Sequence, residues 1–315
     1  MVSVRAPELD TVLRSPYFRG VNSGGHSGVL SDDLRGGVLA RLGFATAPSR
    51  DLEGLRALYD AWCTRVPFDN VRKMIALRTA AAQPLPGGDA RDFFCRWLEH
   101  GTGGTCWPTS NALFELVHSL GFEARRVAGS MRDVGVVNHA SVKVSIDGSD
   151  WLLDSSMLTN APLPLSDAVF VHSDPVFAAE VEPIDGTHVV WVDMPAFSTY
   201  MPCRLLVDPD DHAHYLARYE ASRERSPFNQ RLYARRNRPG ELQVLMGNTL
   251  FSKTAQGLVS KELSATELCQ EIHLRIGISD DLIDVWVRSG GLAASFEPPA
   301  GPKPPPITQK PPSQR

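Results

Sequence analysis

Several features are missing from this sequence of 315 residues, and each absence excludes a class of function. Basic residues are not in excess, since 32 Lys and Arg stand against 36 Asp and Glu, which argues against nucleic acid or an anionic membrane surface as the main partner. No window approaches the ~18 uninterrupted apolar residues that a membrane span needs. The first residues also lack the apolar stretch of a signal peptide, so we expect a cytoplasmic protein.

Cysteine is scarce, odd in number and scattered. The five cysteines contain no C-x-x-C pair and lie at Cys63, Cys95, Cys106, Cys203 and Cys269. This pattern favours reduced thiols in a cytoplasm over a disulfide framework or a zinc site. His212 and His214 form a weak metal-like pair, which we assign to a solvated loop, so no metal is expected.

The local patterns change along the chain from helical to extended and then to mixed. Residues 33–122 are mainly helical in pattern, and Ser49 is expected to cap a helix that ends before Pro67. Short alternating runs over 123–210 predict strands, and 211–296 again includes helical patterns. This order predicts an α+β fold. We expect an irregular N-terminal extension at 1–32 and a disordered or polyproline-like tail at 297–315, where eight of nineteen residues are proline.

The stretch GGTCWP, residues 103–108, places a cysteine at a predicted helix start. Gly103 and Gly104 permit a close approach of chain segments, and Pro108 suits the first turn of a helix. The first N–H groups of that helix and its dipole would stabilise the Cys106 thiolate, which is the nucleophilic form. The alternative is that Cys106 is only a small buried residue at a tight crossing.

A predicted hairpin over residues 139–156 supplies a base and an orienting carboxylate. Asp147-Gly148 is a strong two-residue turn signal, and that turn pairs Ile146 with Ser149. With this register, His139 and Asp154 share a face as diagonal neighbours, close enough for their side chains to meet. A cysteine nucleophile needs such a base, and the base needs an orienting group. Separately, each residue is more often a solvated or turn-forming side chain.

These stretches resemble the arylamine N-acetyltransferase family of transglutaminase-like cysteine enzymes. The similarity runs from about Leu34 to Ile278, and the motifs that carry it are LARLGF (39–44), VPFDNVRKM (66–74), GGTC (103–106), LGF (120–122), NHASVKV (138–144), WLLDSS (151–156), APLPL (161–165) and ELCQEIHLRIGI (267–278). The order and spacing of these motifs are more specific than any one of them.

The resemblance implies an N-terminal helical bundle (33–122), a central antiparallel β-barrel (123–210) and a C-terminal α/β lid (211–296). It implies a catalytic triad of Cys106, His139 and Asp154. It also implies a ping-pong reaction, in which Cys106 takes an acyl group from a thioester and an amine then accepts it. The expected partners are a small-molecule amine and an acyl thioester, and no bound cofactor is expected.

The sequence departs from the family pattern around the expected coenzyme site. Thr102 replaces the arginine that usually precedes the glycine pair, Pro108 replaces an acidic or amide residue, and SSML (155–158) replaces a glycine-rich loop. The residues that bind the co-substrate therefore stay unassigned. The acyl donor could be acetyl-CoA, a longer acyl-CoA or an acyl group on a carrier protein.

Three functions fit the sequence. The leading hypothesis is an N-acyltransferase, and a specialised amide synthase of natural-product biosynthesis is its narrower form. The second is a transglutaminase-like cysteine hydrolase or amidase, which would use the same triad with water or a protein amide. The third is a catalytically silent binding protein that keeps the fold.

Overall fold

The computed structural model describes residues 30–79, 82–194, 199–206, 211–299, 307 and 309–315. Most of the expected N-terminal extension (1–32) and part of the expected tail (297–315) lie outside these described residues. The helices described ahead of the barrel are α1 (Asp32–Arg41), α2 (Leu52–Arg65), α3 (Val71–Thr79), α4 (Ala90–His100) and α5 (Cys106–Ser119).

Helix α2 ends before Pro67 as predicted, but the predicted cap at its start is wrong. The side chain of Asp51, not that of Ser49, accepts the N–H of Gly54, at 2.8 Å. Ser49 instead donates its hydroxyl to the Asp51 carboxylate, also at 2.8 Å. A carboxylate accepts a backbone N–H more strongly than a hydroxyl does, and this difference favours Asp51 as the cap.

The central strands form one antiparallel sheet that nearly closes into a barrel. They are β2 (Glu123–Met131), β3 (His139–Ile146), β4 (Ser149–Leu153), β5 (Leu163–Leu165), β6 (Phe170–His172), β7 (Ala179–Ile184), β8 (Thr187–Met194) and β9 (Thr199–Leu205). Their order in the sheet is β5-β4-β3-β2-β9-β8-β7-β6, and β5 also contacts β6 and β7.

The C-terminal part combines a second sheet with short helices. Its elements are α6 (His212–Ala221), β10 (Tyr233–Arg238), β11 (Glu241–Met246), β12 (Thr249–Thr254), β13 (Gly257–Glu262), α7 (Ala265–Glu271), a π-helical turn (Ile272–Ile276), α8 (Asp280–Arg288) and α9 (Gly291–Phe296). The short strand β1 (Phe68–Asp69) pairs with β10 and so ties this sheet to the helical part. The arrangement of helices, barrel and C-terminal sheet confirms the predicted α+β class.

Helix α6 corrects the loop predicted for His212 and His214. Its first residue is His212, and the preceding Asp211 side chain accepts the N–H of Ala213 at 2.9 Å. Over the described ranges, the side chains of His, Cys, Asp and Glu form no group of three that could hold a metal ion. None of the helices in the described part combines the length and the apolar character that a membrane crossing requires.

The last residues of the expected tail lie on the barrel. Ser313 donates its backbone N–H to the Glu180 carboxylate on β7 at 2.9 Å, and Arg315 lies 3.1 Å from the Glu182 carboxylate. Pro311 is buried beside them. Residues 309–315 therefore contact the barrel, because two carboxylates on one strand provide partners for this polar end.

Two apolar cores meet at β3. Ala140, Val142 and Val144 pack against α5, in the core that α2 and α4 share. The opposite face of β3 turns toward the barrel core, since Ser141 lies directly opposite Val127 of that core. His139 has the same side-chain direction as Ser141, because side chains alternate along a strand. The histidine therefore lies at one end of the barrel interior.

Candidate active site

The glycine pair ahead of Cys106 fits between two chain segments that leave no room for a side chain. A Cβ atom on Gly103 would lie 1.8 Å from the carbonyl oxygen of Pro67, and one on Gly104 would lie 2.9 Å from Cγ of Pro108. The N–H of Asp69 donates to the Gly104 carbonyl at 3.1 Å, so β1 runs alongside the glycine pair. The close approach predicted from the two glycines is confirmed.

Asp69, the second residue of β1, stabilises this close approach of the two chain segments. Its carboxylate is almost fully buried and accepts the N–H of Gly103 at 2.6 Å and the N–H of Val71 at 3.0 Å. Thr102, which stands where the family usually has arginine, donates its hydroxyl to the same carboxylate at 3.1 Å. Burial raises the pKa of Asp69 against the opposing effect of these hydrogen bonds. The hydrogen-bond donors that the described part of the chain offers this carboxylate are thus neutral, and Arg72 acts on it through its charge.

Cys106 is the first residue of α5, as predicted. The preceding Thr105 makes no side-chain cap, and the first N–H groups of a helix have no partner within it. Cys106 is 7% exposed, and its sulfur lies 4.0 Å from the carbonyl oxygen of Asn138, the residue that precedes His139. Because all five cysteines are unpaired, the Cys106 sulfur is available as a thiol or thiolate.

The hairpin has the predicted register. Asp147 and Gly148 both have positive φ, at 49° and 76°, as a two-residue type I′ turn requires, and Ile146 pairs with Ser149. This register brings His139 Nε2 to 2.6 Å from an Asp154 carboxylate oxygen. The two residues are 3% and 1% exposed, so water contributes little to their interaction.

The Asp154 carboxylate has four hydrogen-bonding partners. One oxygen accepts the N–H groups of Ser156 and Met157 at 2.9 and 2.8 Å. The other meets His139 and accepts the Ser141 hydroxyl at 2.5 Å. These donors stabilise the ionised carboxylate, and with Nε2 committed to Asp154 the other ring nitrogen, Nδ1, is the one left for the thiol.

The electrostatics of the pair favour a charged imidazolium beside a carboxylate. Burial alone would lower the pKa of His139, but the Asp154 carboxylate, together with Cys203 and Cys106, outweighs burial and raises that pKa well above its ordinary value. A side-chain hydrogen bond with Cys106 contributes in the same direction. Burial likewise opposes ionisation of Asp154, yet His139 and the hydrogen-bond donors lower the pKa of this carboxyl. The arrangement can therefore hold a proton on His139 after the thiol loses it.

Helix α6 covers the start of α5. The rings of Trp107 and Tyr215 meet edge to face at 5.0 Å, and the Tyr215 hydroxyl donates to the carbonyls of Val127 and Ser141 at 2.6 and 2.9 Å. At the C-terminal end of α6, the Ser222 hydroxyl accepts a hydrogen bond from Lys73 Nζ at 2.8 Å.

Sequence reasoning missed four parts of the site: Asp69, Ser141, Lys73 and Tyr59, whose hydroxyl contacts the backbone of Asp154. Ser141 could have been found, since it follows His139 on the same strand face and lies opposite the expected position of Asp154. The other three come from distant positions in the chain. No local pattern marks them, because their roles depend on how α2, β1 and α3 pack against the barrel.

Known proteins are similar to this chain in sequence over part of its length. A family model described as N-acetyltransferase matches residues 51–281. An arylamine N-acetyltransferase of Mycolicibacterium smegmatis is 26% identical over 128 residues, 38% of this chain and 44% of the relative. Proansamycin X synthase of Amycolatopsis mediterranei is 28% identical over 121 residues, 37% of this chain and 45% of the relative. The chain thus matches less than half the length of these two relatives.

Solved structures extend the similarity over most of the fold. The arylamine N-acetyltransferase of Mycobacterium marinum, solved in complex with CoA, matches with a TM-score of 0.70 at 18% identity, over 82% of this chain and 97% of that structure. The Nocardia farcinica arylamine N-acetyltransferase matches with a TM-score of 0.70 at 21% identity, over 85% and 97%. These identities show a shared fold. Because the family model matches more than half of the sequence, the chain belongs to the arylamine N-acetyltransferase family that its motifs resemble.

Proposed function

We propose that the protein is an N-acyltransferase in which Cys106, His139 and Asp154 act as a catalytic triad. The observation that carries the proposal is the buried His139–Asp154 pair at 2.6 Å beside a cysteine at a helix N-terminus. Membership in a family of acyltransferases supports the reaction type. A thiolate at this position is the nucleophile that a cysteine acyl-enzyme requires.

The first half-reaction forms the acyl-enzyme. His139 takes the proton of the Cys106 thiol, and the thiolate attacks the carbonyl carbon of the thioester donor. In this proposal the backbone N–H of Cys106, together with one from the segment near Trp107 or Val127, stabilises the oxyanion that develops. The intermediate collapses, the bond to the donor sulfur breaks, and His139 returns the proton to the leaving thiolate. Asp154 stabilises the imidazolium and fixes the ring throughout.

The second half-reaction transfers the acyl group to an amine. The amine nitrogen attacks the carbonyl carbon of the acyl-enzyme, and His139 accepts the proton that this nitrogen loses. The Cys106 sulfur then leaves as a thiolate and recovers its proton from His139. The products are an amide and the free enzyme. Water in place of the amine would give hydrolysis, the reaction of the alternative cysteine hydrolase.

The donor we propose is a CoA thioester, and the acceptor an aromatic amine. The M. marinum structure contains CoA, and the M. smegmatis relative is an arylamine N-acetyltransferase. A narrower version of the proposal is an amide synthase of natural-product biosynthesis whose acyl group arrives on a carrier protein. One of the two relatives that the chain partly matches is a proansamycin X synthase. The unpaired cysteines fit a reducing compartment such as the cytoplasm, where the thiol nucleophile stays active.

The intact mass of the protein after mixing with a thioester tests the proposal. Acetyl-CoA, a longer acyl-CoA and an acyl carrier protein loaded with the same acyl group are supplied separately. We expect a gain of one acyl group that disappears when an aromatic amine is added, together with formation of the amide. Cys106→Ala should gain none. An acyl-enzyme that breaks down equally fast with and without amine would favour the hydrolase, and acylation of Cys106→Ala at the wild-type rate would refute the proposed nucleophile.

A further inference from the structure

Asp154 lies just outside the sheet that positions His139. The pairing of β3 with β4 ends at Val142 and Leu153, so no ladder hydrogen bond of that pair fixes the backbone of Asp154. The segment that follows is also strained, because Leu158 and Asn160 adopt positive φ values of 48° and 59° without glycine. Within the segment, the Leu158 N–H donates to the Asp154 carbonyl at 3.0 Å, but this local bond does not tie Asp154 to the rest of the fold.

The Tyr59 hydroxyl provides such a tie from α2. It accepts the backbone N–H of Asp154 at 3.0 Å and donates to the backbone carbonyl of the same residue at 2.8 Å. It also lies 3.3 Å from the Thr159 hydroxyl, and the Cys63 thiol is a further hydrogen-bonding neighbour. One side chain thus satisfies both backbone groups of the residue that carries the carboxylate.

Tyr59 is suited to this task by its own surroundings. Its side chain has no exposed surface and lies in the core that α2, α4 and α5 share. Burial raises the pKa of the Tyr59 hydroxyl well above its ordinary value, so the proton stays available to the Asp154 carbonyl. A rigid aromatic side chain in a packed core holds its hydroxyl within narrow limits.

We propose that Tyr59 is a positioning residue for the acyl transfer: its hydroxyl fixes the backbone of Asp154 and thereby holds the carboxylate against His139 Nε2, with the other ring nitrogen toward Cys106. The inference rests on the proposed function, since it matters for activity only if the three residues form a triad. Tyr59 touches neither substrate nor reacting atom. It acts through Asp154, and a displaced carboxylate would no longer stabilise the imidazolium.

The groups that set the titration of His139 are few. Asp154 and Cys106 face it within the site, and the Cys203 thiol of β9 lies on its barrel side. Around Tyr59 the ionisable neighbours are Asp154, Cys63 and the buried Arg235, whose charge also acts on Asp154. A change in the pH dependence of Cys106 after removal of the Tyr59 hydroxyl would therefore report on the His139–Asp154 pair.

The test compares Tyr59→Phe with Tyr233→Phe in the full-length protein. Tyr233 is another buried tyrosine, and its hydroxyl makes no hydrogen bond to Asp154 in the described structure. The rate of iodoacetamide reaction at Cys106 is measured from about pH 5 to about pH 9.5, spanning the ordinary thiol pKa of ~8.5. The values of kcat and KM for acyl transfer are measured in parallel, and circular dichroism checks the fold.

We expect Tyr59→Phe to raise the apparent pKa of the thiolate–imidazolium pair by about one unit. At pH values below that pKa, the alkylation rate of Cys106 should therefore fall about tenfold relative to wild type. The rate at high pH and the KM should stay within about twofold of wild type, while kcat falls. Tyr233→Phe should keep the wild-type profile. If Tyr59→Phe does not fold, 3-fluorotyrosine at position 59 keeps the hydroxyl but makes it a weaker acceptor, and the same shift with a smaller size is expected.

Three outcomes overturn the inference: an unchanged profile in a folded variant, an equal loss at low and high pH, or the same shift in Tyr233→Phe. Each of these leaves a reactive wild-type Cys106 and the proposed function intact. A wild-type Cys106 that reacts at low pH no faster than a free cysteine would instead refute the triad, and the positioning role with it.

Discussion

Gly129 and His139 lie opposite each other on β2 and β3, and the glycine leaves the space that the histidine side chain and Cys203 share. A Cβ atom on Gly129 would lie 3.6 Å from Cβ of His139 and 2.9 Å from Sγ of Cys203. The second distance is too short for an ordinary contact, and Cys203 is fully buried. The absence of a side chain at Gly129 therefore belongs to the geometry of the site.

Gly129→Ala should move Cys203 or His139 and weaken both folding and activity. Overpacking of a buried site costs about 1–3 kcal/mol, and a displaced imidazole would lower kcat/KM further. Urea unfolding and steady-state kinetics measure the two effects. The double variant Gly129→Ala with Cys203→Ala removes the obstructing sulfur and should recover part of both losses. A single variant as stable and active as wild type would contradict this reading of the contact.

His139 should make the protein less stable as the pH rises above neutrality. Its pKa is raised well above 6.5 in the folded state, mainly by Asp154 acting against burial. Between pH 6.5 and that raised pKa, His139 holds a proton in the folded state that it has lost in the unfolded state. The stabilisation that His139 contributes is therefore complete below pH 6.5 and disappears as the pH rises through the folded-state pKa. The difference in the free energy of unfolding between wild type and His139→Gln should therefore shrink with rising pH.

Urea unfolding at several pH values above 6.5 provides the measurement, and His188→Gln on β8 serves as the control. A His139→Gln difference that stays constant over this range would show that the imidazole does not gain its proton from the pairing with Asp154.

The local parts of the site could be predicted from sequence, and the long-range parts could not. The Asp147-Gly148 turn fixed the register that joins His139 to Asp154, because a two-residue turn leaves one pairing for the flanking strands. The glycine pair and Pro108 marked the start of α5 in the same way. Tyr59, by contrast, meets Asp154 across 95 residues of sequence, and Asp69 meets Gly103 across 34. Such contacts depend on how separate elements pack, which no local pattern encodes.

Loss of the Asp69 carboxylate should loosen the segment ahead of Cys106. Asp69→Ala leaves the buried N–H groups of Gly103 and Val71 without their acceptor, and each unsatisfied group costs about 1–3 kcal/mol. We expect a stability loss on the order of 3 kcal/mol in urea unfolding, together with slower acylation of Cys106. Asp69→Asn keeps one acceptor oxygen, so its free energy of unfolding should lie between those of wild type and Asp69→Ala.

Asp167→Ala is the matched control, since Asp167 is an exposed carboxylate outside the site. Its stability should stay within about 0.5 kcal/mol of wild type. Equal effects of Asp69→Ala and Asp167→Ala would mean that the buried carboxylate does not hold the glycine pair.

Lys73 should give the protein a stability that increases with pH in the alkaline range. The side chain is 3% exposed, and burial lowers the pKa of Lys73 to about 8, partly offset by Cys106. Between about 8 and the ordinary value of 10.5, the unfolded state binds a proton that the folded state has released. Stability then rises with pH, with a limiting slope of about 1.4 kcal/mol per pH unit. The free energy of unfolding of wild type relative to Lys73→Met should increase over this interval.

Lys261 provides a control of opposite sign. Lys261 is exposed, and its hydrogen bond to Glu267 raises its pKa. The free energy of unfolding of wild type relative to Lys261→Met should therefore not increase as the pH rises through the same interval. Urea unfolding of the three proteins from about pH 8 to about pH 10 separates the cases. A Lys73→Met difference that stays flat would show that the ammonium on α3 keeps its proton in the fold, through its bond to Ser222 at the end of α6. In that case α6 would be held over Cys106 by a permanent charge rather than by a group that titrates near neutrality.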